Sequence, residues 1–149
     1  MTTTTMTTTH APLDDGEELL FRQAHPSFVR DGRPSSQVFR PTPKDAGKLS
    51  VARGSLTTPA SAFELHTRGL GLLSAGTWAV TVEECREQAL NVLPDPLSSP
   101  PEKVDDPAHA VVEFTPHSKN QCEAKATRLT LKATERGRLH PPTNPGEVE

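Results

Sequence analysis

The chain alternates short apolar stretches with proline and glycine punctuation, and the period changes from two to about 3.6 along it. In "ELLFRQAHP", alternation puts Leu20, Arg22 and Ala24 on one side of a strand and Leu19, Phe21 and Gln23 on the other, and Pro26 stops it. "SQVFRP" predicts a short strand around Val38 and Phe39, and "KLSVARG" predicts a third with Leu49 and Val51 opposite Ser50. "DGRPSS" and "PTPKDAG" read as turns: the prolines deny backbone donors and Gly47 permits positive φ. "TTPASAFELHTRGLG" carries helix punctuation, with Thr58 as cap, Pro59 at the first helical position and Gly69 as the stop. Phe63, His66 and Leu70 then share one face.

In the second half, "TWAVTV" is the clearest strand, with Trp78, Val80 and Val82 on one side. "EECREQALN" predicts a short helix, and "LPDPLSSPPEKVDDP" a long proline-broken loop. "HAVVEF" is almost continuously apolar, which predicts a central strand. "HSKNQCEAKATRLTLKATERG" is the best helix. Ser118 and Gln121 fit a capping box, Cys122, Ala126, Leu129 and Ala133 form the apolar stripe, and Gly137 ends it. The order of elements predicts one α+β domain over residues 17–137, built on a small mixed or antiparallel sheet with two or three helices. The threonine-rich start (1–16) and proline-rich end (138–149) lack any apolar period and read as disordered tails.

Composition narrows the picture. Hydrophobic residues make up 33% of the 149 and prolines number 15, so a small core with many loops is expected. No stretch approaches the roughly 20 apolar residues of a membrane span. No export signal is evident, so a cytoplasmic setting with Cys85 and Cys122 reduced is expected. Charge is blocky. Residues 14–18 hold four acids and no base; residues 22–53 hold seven bases against two acids, a net +5. Residues 83–113 are net −6, with eight acids and two bases, and residues 119–138 net +4, with six bases and two acids. Such blocks either pair in the fold or attract charged partners.

The six histidines show no metal-binding spacing, so no metal is expected. There is no serine nucleophile elbow and no phosphate loop: "RGLGLLSAG" lacks the terminal Lys-Ser/Thr. The basic helix from Lys119 to Arg136 could follow a phosphate backbone as a nucleic-acid accessory element, but aromatics for stacking are only 4% of residues, and a solvated amphipathic helix explains it more simply.

The polar stretch from Arg22 to Arg53 is the leading candidate site. Arg22, His25, Arg40, Lys44, Asp45, Ser50 and Arg53 could line a pocket, with the guanidinium groups taking an anion and Asp45 holding a neighbouring base. The expected function is binding of a protein partner or a phosphate-bearing ligand, without a cofactor or a membrane. A further reading gives partner capture to the acidic proline-rich loop, residues 94–107. Whether the chain is an enzyme is left open by these residues.

The order "RQxHP … FRPTPKD … LSVxRG" resembles small bacterial proteins of no known function, which implies no activity. More weakly, three short pieces resemble ADP-ribosyltransferase-like domains. That resemblance implies NAD bound in a split β core, by Arg22 or His25 on the first strand and Ser50 in "LSV", with His25 and Glu113 in "HAVVEF" carrying the chemistry. The chain departs from the pattern: there is no Ser-Thr-Ser, no Gln/Glu-x-Glu pair and no tyrosine.

Overall fold

The computed structural model describes residues 12–41, 47–96, 106–115 and 117–141. Seven strands are present among them: β1 (Leu19–Ala24), β2 (Val29–Arg30), β3 (Arg33–Pro34), β4 (Lys48–Arg53), β5 (Gly76–Thr81), β6 (Asn91–Pro94) and β7 (His109–Glu113). Three α-helices accompany them: α1 (Pro59–Glu64), α2 (Val82–Glu87) and α3 (Lys119–Arg136). Five strands form one antiparallel sheet in the order β5-β1-β4-β7-β6, and β2 pairs with β3 in a separate hairpin. The protein is thus a single α+β domain. No helix among the described residues is long and apolar enough to cross a membrane.

Alternation sorts the sheet into two faces. One carries Leu20, Leu49, Val51, Trp78, Val80, Val92, Ala110 and Val112 into the main core, where Ala126, Leu129 and Ala133 of α3 meet them. The other carries Phe21 and Ala79 against Ala62 of α1, with Leu19, Ala52 and Leu139 at the margin. The expected stripe on α3 is therefore the buried one, and Cys122 packs at its edge. The expected capping box is present: Ser118 Oγ accepts from Gln121 N at 3.2 Å and Gln121 Oε1 from Ser118 N at 2.9 Å. A second box, between Thr81 and Glu84, starts α2.

Several elements differ from the sequence reading. "SQVFRP" is a 3-10 turn, Ser36–Phe39, and not a strand. Val38 and Phe39 are both buried, at 1% and 0% exposure; a strand would have sent these neighbours to opposite faces, whereas the turn packs both beneath α3. The start of the expected 93–107 loop belongs to β6, which tolerates Pro94 because it is an edge strand. Val82 opens α2 and does not end β5. The helix expected to reach Gly69 is α1 followed by a π-turn, Leu65–Gly69.

Both chain-end segments reach further into the fold than the expected span of 17–137. Leu13 is buried and its N–H donates to Val92 O at 2.8 Å, which covers the β6 edge. At the opposite edge, Thr77 N donates to His140 O at 2.7 Å and Leu139 N to Thr77 O at 2.8 Å. The chain thus blunts its own sheet edges.

Charged blocks pair across elements. Arg53 meets Glu18 at 3.0 Å, Arg136 meets Glu84 at 2.9 Å, Arg40 meets Glu123 at 3.3 Å and Arg86 meets Asp14 at 3.4 Å. On α3, Lys125 donates to Gln88 O, and Arg128 to Gln88 Oε1 at 3.1 Å. Three of the helix's cations, Lys125, Arg128 and Arg136, are therefore held against α2 and β5.

Candidate functional site

The β1–β5 ladder runs through six residue pairs, but β1 and β4 are paired only at Leu20↔Arg53 and Phe21↔Ala52. Beyond Phe21 the two strands part. Arg22 spans the gap: its Nε donates to Val38 O at 2.7 Å and its Nη1 to Ser50 O at 3.0 Å. The 3-10 turn carrying Val38 thus sits at the α3 side of the split, and the guanidinium satisfies a β4 carbonyl where β1 has turned away.

On the α1 side the split opens as a cleft of about 460 Å³. Phe21 and Gln23 of β1 form one wall, Ser50 and Ala52 of β4 the other, and Ala62, Leu65, His66, Leu70 and Leu72 close over them. Asp106 and His109 border the cleft beside β4, where His109 is the cross-strand partner of Ala52. The size and the apolar lining with a few convergent polar groups are those of small-molecule sites.

The polar groups are held in place individually. Gln23 Oε1 accepts from Ser74 Oγ and Thr77 Oγ1, both at 2.9 Å. The wider π-turn closes with Leu70 N donating to Leu65 O at 2.9 Å, and it brings His66 into the cleft lining; such single-turn irregularities recur at functional sites. His66 Nε2 lies 3.3 Å from Leu73 O, a group that can only accept, so Nε2 carries the hydrogen. Burial, and then the charges of Arg22 and His25, push the His66 imidazole below its ordinary value, with the Leu73 carbonyl acting the other way. His66 is therefore neutral at pH 7. His109 Nδ1 is 2.9 Å from Asp95 O and 3.1 Å from Asp95 Oδ2. Burial pushes the Asp106 carboxyl up, opposed by the charge of His109 and the Ala108 amide. At the mouth, Leu70 and Leu72 are 49% exposed and Leu73 63%, an apolar rim beside an apolar cleft.

The sequence-nominated residues divide. Arg22 and Ser50 meet in the cleft. His25 is exposed; its Nδ1 accepts from Ser27 N at 3.0 Å and caps the turn after β1. Arg40 and Arg53 lie elsewhere, in the ion pairs with Glu123 and Glu18. Lys44 and Asp45 lie outside the described residues, as do residues 97–105 of the acidic proline-rich loop and most of both tails. Glu113 accepts from Thr115 Oγ1 at 3.0 Å and pairs across to Lys48 and Asn91. It stands four residues, about 13 Å, along β7 from His109, away from the cleft lining.

Gln23, His66, Asp106 and His109 were not nominated from sequence. Only His66 left a trace there, as the polar member of an otherwise apolar helix face. Among the described residues no three His, Cys, Asp or Glu side chains gather as metal ligands. Cys85 is fully buried, and burial, then the charge of Glu84, pushes its thiol up to about 12, so it is no nucleophile. No protein-family model matches the chain, and no match is found among curated proteins or solved structures.

Proposed function

We propose that the protein is a small-molecule binding protein whose site is the cleft between β1 and β4. The observation that carries this reading is the parting of the two strands at Arg22, which leaves an apolar cavity with a fixed cation at its edge. The earlier idea of an anion held by an arginine cluster is thereby narrowed. Arg22 and Ser50 belong to the site, while Arg40 and Arg53 have structural partners. A nucleotide-sized or smaller ligand with an apolar body and an anionic group fits the lining chemistry.

NAD is the second reading, favoured by one observation, that Arg22 and Ser50 share a cleft between separated strands. It requires an acid other than Glu113 near the ribose, and Asp106 is the carboxyl that borders the cleft.

Thermal melts with decanoate, naphthalene sulfonate, phosphate and NAD, on wild type and Ser50→Trp, test both readings. Ser50 is exposed in the cleft wall, and Trp suits a strand while filling the space. A ligand at about 100 times its Kd adds roughly 2.7 kcal/mol, several degrees in a domain of this size. The expected result is a shift with an apolar anion that Ser50→Trp abolishes. A shift with NAD alone supports the second reading. A shift that survives Ser50→Trp removes the cleft from the account.

A further inference from the structure

The two ends of the cleft differ in charge. Arg22 and His66 lie at one end, and the Arg22 charge bears on the imidazole. Asp106 and His109 stand at the other, beside Ala52. Phe21, Leu65 and Leu72 supply apolar wall. A wholly apolar ligand would leave the guanidinium edge and a half-buried imidazole against hydrocarbon, which is unfavourable. A ligand with one anionic group at the Arg22 end relieves that.

The Arg22 guanidinium already donates to the carbonyls of Val38 and Ser50. An anion entering beside it therefore meets one engaged cation and a neutral imidazole. His66 can become the second cation. Its Nε2–H faces Leu73 O, so the lone pair on Nδ1 is the one that accepts a proton. Burial first, and then the nearby charges of Arg22 on β1 and His25 just after it, disfavour that proton. Asp106 and His109, across the cleft, are the other titratable groups of the lining. An anion next to His66 reverses the balance.

Resting on the cleft as a binding site, we infer that its ligand is an amphiphilic anion whose apolar body lies along Phe21, Leu65 and Leu72, and that one proton from solvent enters with it onto His66 Nδ1. Binding and protonation are then linked. Over the pH range between the free and the bound titration of His66, affinity falls about tenfold for each unit that the pH rises. Below that range His66 is charged in both states and the affinity is flat.

Fluorescence titration with 8-anilinonaphthalene-1-sulfonate from pH 5 to pH 8 tests this. The sulfonate stays ionised throughout, so any pH dependence belongs to the protein. The expected result is a wild-type Kd that rises with pH by up to about tenfold per unit, and a His66→Gln Kd that does not change. The ring-proton resonance of His66 in the wild type, followed by NMR with and without the probe, reads the same linkage without a substitution. Its titration midpoint should move up on binding. A pH-independent wild-type Kd, a slope that persists in His66→Gln, or an unmoved midpoint would overturn the proton linkage and leave the cleft as a site. Probe fluorescence unaffected by Ser50→Trp would instead overturn the cleft reading, and this inference with it.

Discussion

At the residue scale, the same side-chain type serves different ends according to what it is buried with. Arg53 and Arg40 looked alike in sequence, both following short apolar runs in a basic block. Arg53 meets Glu18, whose side chain is only 4% exposed, and Ser55 donates to the same carboxylate at 2.6 Å. Burial pushes the Glu18 carboxyl up, but the donors from Arg53 and Ser55 together outweigh it and hold it below the ordinary carboxylate range. Removing Arg53 strands that charge. Arg53→Ala should lower stability by about 2 kcal/mol, less than for a wholly buried pair because the Arg53 side chain is 24% exposed. The Arg40–Glu123 pair is 36% and 41% exposed, so Arg40→Ala should cost under about 0.5 kcal/mol. Urea unfolding midpoints of the two variants check this; equal midpoints would contradict it.

Acid should expose the same chemistry. The Glu84 carboxyl is pushed up by burial, yet the donors from Arg136 and the Thr81 amide bring it below its ordinary value of 4.5. Its contribution is therefore complete above pH 4.5 and is lost as pH falls through the lower value of the folded state. The stability gap between wild type and Glu84→Gln should close below pH 4.5. A gap that stays constant to pH 3 would mean that the carboxylate is not what stabilises the folded state. Cys85 gives a simpler test. With its thiol pushed up to about 12 in the core, it should react with a thiol reagent only after unfolding.

At the element scale, local punctuation was the most legible part of the sequence. Thr58 and Ser118 cap the helices they were expected to cap, because a hydroxyl on an amide three residues ahead is a contact within one turn. Ser118→Ala should cost about 1 kcal/mol, measured by thermal or urea unfolding. The Asp31-Gly32 turn was visible too. Both residues have positive φ, 56° and 76°, the geometry a two-residue hairpin requires. What sequence could not resolve was any element whose form is set by distant partners. Val38 and Phe39 had strand composition, but α3 and two flanking prolines made them a 3-10 turn. Pro94 argued against a strand until the sheet order placed β6 at an edge. The π-turn at His66 follows a normal helical start, and nothing in "HTRGLG" distinguishes a turn of five residues from one of four.

At the scale of the whole molecule, the sheet is complete on one side of β1 and open on the other. The α+β class was legible because it needs only the sequence of periods. The candidate site was half legible. Arg22 and Ser50 were nominated because they sit on strands in a polar stretch, but the cleft depends on how far β1 and β4 stay paired, which no local pattern encodes. His66, Asp106 and His109 come from segments between 13 and 59 residues away from Ser50 or Arg53 in the chain, so only the fold joins them. The charge blocks were equally ambiguous. Four of their cations, Arg40, Arg53, Arg86 and Arg136, pair with acids from other parts of the chain.

An amide NMR titration with decanoate tests the central claim most directly. The account predicts shifts concentrated at Phe21, Gln23, Ser50, Ala52, Leu65 and His66, on both walls of the split, with the exposed face of α3 and the β2–β3 hairpin unmoved. Shifts confined to α3 or the hairpin, or no saturable shifts at any pH between 5 and 8, would contradict it.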